Sequence, residues 1–118
     1  MPHLRLDITP NLAERSREGE ILRALVARLS SFPTIVAPGV KAYASTFGEG
    51  QFAIGDDAPP GFVHLRVEIL AGREPALVQE IADGMYAELK AQFAESLESG
   101  AAKATMELRE MATPTYRK

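Results

Sequence analysis

The chain repeats itself. His3-Leu4-Arg5-Leu6-Asp7-Ile8 returns as His64-Leu65-Arg66-Val67-Glu68-Ile69, an offset of 61 residues. Both stretches alternate apolar and polar side chains, the period-2 signature of a half-buried strand. Behind each strand the period becomes helical. Ile21, Leu22, Leu25, Val26 and Leu29 form one stripe, and Leu77, Val78, Ile81, Met85, Leu89, Phe93 and Leu97 form another. Ile21 aligns with Ile81, Leu25 with Met85 and Leu29 with Leu89 at an offset of 60. Two registers that agree to within one residue point to a duplicated β-α-β unit rather than to chance alternation.

Filled in along the chain, the pattern predicts a strand over 2–8, broken by Pro10-Asn11, and a helix over about 11–31. Ser30-Ser31-Phe32-Pro33 ends that helix, because the residue before a proline resists the α conformation. Pro38-Gly39 opens a second strand over 40–47, and a glycine- and proline-rich loop over 48–61 crosses to a third strand over 62–70. At that length the loop is of the functional or mobile kind. Arg73-Glu74-Pro75 launches the long second helix, with proline well placed in a first turn, and Gly100 stops it. A last strand covers 102–111 with Ala104, Met106 and Leu108 facing inward. The repeats therefore run over about 2–47 and 62–111. Right-handed crossovers put both helices on one face of a four-stranded mixed sheet, an α+β fold. The other face, with Arg5, Asp7, Arg66 and Glu68, is free to be wetted or to meet another subunit. A ferredoxin-like binding module has the same element order and stands as an alternative.

Length and composition bound the rest. The 118 residues suit one domain over 1–118 with a modest core. Usage of 46% apolar and 25% charged residues is that of an ordinary globular protein. No apolar run approaches the roughly 20 residues of a bilayer span, so no membrane partner is expected. The start has neither a basic region nor an apolar stretch of the secretory kind. Thirteen basic against 16 acidic residues, a net charge of −3, argue against nucleic-acid binding by bulk charge. With no cysteine there is no disulfide scaffold and no thiol nucleophile, which fits a reducing cytoplasm.

Few residues carry chemistry. His3 and His64 are the only histidines, and they read as two sheet-face imidazoles. No His, Asp or Glu cluster has metal-ligand spacing, and Ala71-Gly72-Arg73 is too short for a phosphate loop. Six acids on the second helix (Glu74, Glu80, Asp83, Glu88, Glu95 and Glu98) read as a solvated face. Pro2 is different. Once the initiator Met1 is removed, its ring nitrogen is a free secondary amine held rigidly at the start of a strand. Nearby cations and partial burial disfavour the ammonium form and lower its pKa, and a fall of about two units corresponds to about 2.7 kcal/mol. Such an amine can serve as a general base near neutral pH. Lys41, near the start of the second strand, and Arg73, just past the third, are the available cations. Arginine forks grip carboxylates in pairs and lysine supplies a point charge, which suits an anionic substrate whose proton is moved.

Pro2 after the initiator Met, the doubled β-α-β unit and about 120 cysteine-free residues resemble the tautomerase superfamily, and within it the 5-carboxymethyl-2-hydroxymuconate isomerases. The matching stretches are Pro2-His3, Gly39-Val40, Phe62-Val63-His64, Ala71-Gly72-Arg73, residues 92–99 and Glu107-Leu108. The resemblance covers nearly the whole chain, although this sequence stops soon after Tyr116, where the family continues into an extension. It implies the tautomerase fold, a homotrimer with sites at subunit interfaces, and no cofactor. It also implies ketonisation of a dienol by a 1,3- or 1,5-proton shift in the breakdown of aromatic acids. Carried over, Pro2 is the proton shuttle, and Arg73 binds a substrate carboxylate or polarises the 2-oxo group. The family's Arg-x-Arg pair falls on Lys41, which keeps the charge without the fork, and on Tyr43, which loses the charge. That departure leaves open a non-catalytic trimer that binds small anions. A trimer would also cover the bare sheet face and bring one subunit's Pro2 towards a neighbour's cations.

Overall fold

The computed structural model describes residues 2–118; the removal of Met1 lies outside them. The strands are β1 (His3–Ile8), β2 (Lys41–Ser45), β3 (Gly61–Leu70) and β4 (Ala102–Met111). They form one sheet in the order β2-β1-β3-β4. β1 is parallel to β2 and antiparallel to β3, and β3 is parallel to β4. The helices α1 (Glu18–Ser30) and α2 (Pro75–Gln92) cross between the parallel neighbours. This is the duplicated β-α-β arrangement, an α+β fold with a four-stranded mixed sheet.

The repeat is also a symmetry. Arg5 stands directly opposite its equivalent Arg66, His3 opposite Glu68, and Asp7 opposite His64. A local twofold axis therefore passes between the two arginines. In a ferredoxin-like split β-α-β unit another strand separates the two parallel ones; here β1 and β2 are bonded neighbours, so that alternative fails.

Alternation on the strands meets the helical stripes in one core. Leu4, Leu6, Ile8, Val63, Leu65, Val67 and Ile69 from the sheet are fully buried, as are Ile21, Leu25, Leu29, Ile81, Met85, Leu89 and Phe93 from the helical side. Each such side chain contributes about 1.5–3 kcal/mol relative to exposure. Leu22, Val26, Leu77, Val78, Leu97, Met106 and Leu108 pack around them, half-buried.

Two helix boundaries differ from the periodic reading, for one reason. Residues 13–17 form a 3-10 turn before α1 begins at Glu18, and the long helix breaks at Phe93 before a short α3 (Ala94–Glu98). In a continuous helix the Ser96 N–H would bond the Gln92 carbonyl. Instead Glu14 accepts that N–H at 2.9 Å, and Gln92 O accepts Arg17 Nη2 at 2.8 Å. Both halves of the missing helical bond are satisfied from the 3-10 turn.

The 48–61 loop is partly ordered by its own side chains. Gln51 Oε1 accepts the Gly48 N–H at 2.6 Å, and the rings of Phe47, Phe52 and Phe62 cluster with centroids 5.7–6.3 Å apart. This cluster sits where β3 begins, at Gly61 rather than at residue 62. The uncovered sheet face carries Arg5–Asp7 and Arg66–Glu107 pairs at 3.6 and 3.5 Å. Among the described residues no helix is long and apolar enough to cross a membrane.

Candidate active site

Because β1 runs antiparallel to β3, the start of β1 lies beside the end of β3. Pro2 extends β1 by one residue; its carbonyl accepts the Lys41 N–H at 3.0 Å, which ties it to β2. The residue itself is buried. β3 ends at Leu70, and the chain turns through Gly72 at φ +117°, a conformation side-chain-bearing residues resist. Pro75 then starts α2 in its first turn. Arg73 is delivered by that turn to the same end of the sheet as Pro2.

A third segment closes the site. After α1 the chain passes over 33–39 to β2, through a 3-10 turn at Ala37–Gly39. Between these strand ends lies a cleft of about 440 Å³ whose lining includes Pro2, Arg73, Thr34, Leu70 and Lys118. Val36 and Pro38 add apolar wall, and Val36 is 67% exposed. Pro2 and Arg73, singled out in the sequence, are thus brought together.

Arg73 is firmly held. Its Nε donates to Thr34 Oγ1 at 2.8 Å, Nη2 to the Thr34 carbonyl at 3.1 Å, and Nη1 to the Leu70 carbonyl at 2.8 Å. A guanidinium has five N–H donors, so among the described residues one N–H on each terminal nitrogen is left without a partner. A carboxylate takes such a pair as a fork. Thr34 makes these contacts at φ +70°, a region that costs a β-branched residue on the order of 1–3 kcal/mol.

Lys41 and Tyr43 lie elsewhere. Both are exposed on β2, opposite His3 and Arg5, on the uncovered sheet face. Within one chain they are not brought to the cleft.

Two lining residues escaped the sequence reading. Thr34 sits in an aperiodic connection and has no signal beyond the preceding proline. Lys118 arrives through a folded tail: a turn at Thr113–Thr115 leads to Tyr116, whose hydroxyl lies 2.9 Å from His3 Nε2, their rings edge to face. His64 is engaged separately, with Nδ1 2.8 Å from Thr105 Oγ1. The two imidazoles share no site, and among the described residues no group of three His, Asp or Glu could hold a metal ion.

The doubled β-α-β sheet is the fold of the tautomerase-type isomerases, and Pro2 and Arg73 line one small cleft at its end. The chain belongs to the 5-carboxymethyl-2-hydroxymuconate isomerase family, whose model matches residues 2–118. A crystal structure of a 5-carboxymethyl-2-hydroxymuconate isomerase from Deinococcus radiodurans R1 is 33% identical, with a TM-score of 0.86 over 99% of this chain and 87% of that one. A 5-carboxymethyl-2-hydroxymuconate delta-isomerase structure is 17% identical at TM-score 0.82, covering 100% of this chain and 87% of that one. A fused 4-OT symmetric trimer is 14% identical at TM-score 0.69, covering 93% and 85%. The last two likenesses are of fold alone. No curated protein sequence matches significantly.

Proposed function

We propose that this isomerase uses Pro2 to carry a proton between oxygen and carbon of a small unsaturated 2-hydroxy carboxylate. Its setting is aromatic-acid breakdown, as for 5-carboxymethyl-2-hydroxymuconate isomerase, and it works without a cofactor, as a one-domain chain in a cytoplasmic homotrimer. The observation that carries the reading is the shared cleft: Pro2 and Arg73 both line it.

With Met1 removed, the Pro2 nitrogen is a secondary amine. Burial of the residue and a guanidinium on the same cleft both disfavour its ammonium form, which leaves a base at neutral pH. That base accepts the proton of the 2-hydroxyl as the oxygen becomes a ketone. The electron pair moves along the diene, and the same nitrogen returns the proton to carbon, the third or fifth atom of the conjugated chain counting the oxygen as the first. No bond other than O–H, C–H and the conjugated π bonds changes. Positioned general acid–base catalysis of this kind supplies about 10²–10⁴ in rate.

Arg73 supplies the remaining electrostatics. Its two unused N–H groups grip a substrate carboxylate and draw charge from the developing dienolate. The trimer covers the ionic sheet face, and there Lys41 and Tyr43 of one subunit face the cleft of the next.

The test is direct. Protein shown by intact mass to lack Met1 is assayed by the ultraviolet decay of 2-hydroxymuconate. Pro2→Ala is expected to lower kcat/KM about 100-fold or more. Equal rates for the two proteins overturn the proposal.

A further inference from the structure

We infer that Thr34 is the positioning residue for Arg73, and that its strained backbone persists because one residue can then offer two acceptors to one guanidinium edge. Glycine or asparagine would satisfy the turn at φ +70° at far lower cost than a β-branched residue. What glycine lacks is Oγ1. In this conformation the Thr34 hydroxyl and carbonyl face the same way and take Nε and Nη2, two neighbouring donors, at 2.8 and 3.1 Å. Leu70 O takes one N–H of Nη1 at 2.8 Å.

The consequence is specificity. With three donors committed to Thr34 and Leu70, the guanidinium plane is held against turning about its stem, and one N–H on each terminal nitrogen is left for a ligand. They match a planar carboxylate and offer nothing to an apolar or cationic group at that end of the cleft. Removal of Oγ1 frees the Nε edge, so the fork loses its fixed aim while its charge stays. Thr34 acts through Arg73 and is not itself assigned a contact with substrate. This inference rests on the carboxylate-binding role proposed above for Arg73.

The experiment uses Met1-free protein with 2-hydroxymuconate, comparing Thr34→Ser, Thr34→Val and Thr34→Gly, alone and with Arg73→Ala. Thr34→Ser keeps the hydroxyl and is expected to stay within about threefold of the parent. Thr34→Val and Thr34→Gly lose a hydrogen bond to a charged group, and kcat/KM should fall about 10- to 100-fold. Most of that fall should sit in KM, because the carboxylate grip is present in the ground state. Thr34→Gly, relieved of strain, should melt no lower than the parent. In the Arg73→Ala background the Thr34 changes should add nothing, the signature of one coupled unit.

Wild-type kinetics for Thr34→Val or Thr34→Gly, with Arg73→Ala impaired, overturn the role of Thr34 and leave the proposed function standing. So does a loss that follows melting temperature or persists undiminished without Arg73. Wild-type kinetics for Arg73→Ala remove both this inference and the role of Arg73, while Pro2→Ala separately tests the proton shuttle.

Discussion

The Glu14 carboxylate caps Ser96 across 82 residues of sequence, accepting both its backbone N–H, at 2.9 Å, and its hydroxyl. Glu14 is only 1% exposed. Burial pushes its carboxyl pKa up, but the Ser96 hydroxyl, the Ser96 N–H, its own backbone N–H and the nearby Arg17 charge outweigh that. The net result is a pKa below the ordinary carboxylate value. A folded-state pKa lower than the unfolded one contributes stability that is complete above the unfolded value, near 4.3, and is lost as pH falls through the folded one. Glu14→Ala strands two donors of Ser96 and should cost about 1.5–3 kcal/mol at pH 7. Denaturant titrations of both proteins at pH 7 and pH 3 check this. The gap should shrink at the lower pH, and an undiminished gap there would contradict the assignment.

A retained Met1 should silence the enzyme. With the initiator in place the Pro2 nitrogen is an amide, which has no lone pair to accept a proton at neutral pH. Preparations that differ in the fraction of processed chain, measured by intact mass, should show activity proportional to the Met1-free fraction. Full activity in unprocessed protein would remove the proton shuttle from Pro2.

Much of the fold could be read from the residues because the strongest energetic term, burial of alternating and helically spaced apolar side chains, writes itself into local periodicity. The duplication did the rest: Arg5 pairs with Arg66 and His3 with Glu68 just as a doubled unit requires. Periodicity failed where a distant polar contact overrode it. Nothing in residues 11–17 announces that Glu14 and Arg17 will take the hydrogen bonds of Ser96 and Gln92, so the late start of α1 and the break at Phe93 were illegible. The cleft was readable in part. Pro2 and Arg73 stood out through chemistry and resemblance, whereas Thr34 and Lys118 lie in aperiodic connections whose course depends on the whole tertiary structure. Lys41 stands out by its charge and Tyr43 only by its place in a family motif, and the strand carrying them turns both to the uncovered face.

That placement makes a prediction about shared sites. If Lys41 serves the cleft of a neighbouring subunit, a chain with Pro2→Ala and a chain with Lys41→Ala each fail in a different half of the same site. Mixed trimers of the two contain interfaces where an intact Pro2 meets an intact Lys41, and activity should reappear there. Separately assembled variants, mixed without exchange, should stay impaired. Light scattering on the parent should return the mass of three 12.8 kDa chains. A monomer, or no recovery in mixed assemblies, would confine the site to a single chain.

Gly72 controls the delivery of Arg73 and can be tested apart from both. Its φ of +117° lies where an L residue is strained, although among the described residues no atom other than those of its chain neighbours stands within 4 Å of a Cβ placed there. Gly72→Ala therefore meets a backbone penalty and no clash. Relief of that penalty requires the turn after Leu70 to swing, and Arg73, bonded to Leu70 O and Thr34 from the next position, moves with it. Stability should fall by about 1 kcal/mol, a shift of a few degrees in melting temperature for a chain of this size. The kinetic loss should be larger than that fall explains, because even the molecules that remain folded carry a misaimed guanidinium. Stability curves and kcat/KM measured on the same preparation separate the two effects. Activity that drops only in step with the folded fraction would show that the turn merely supports the fold.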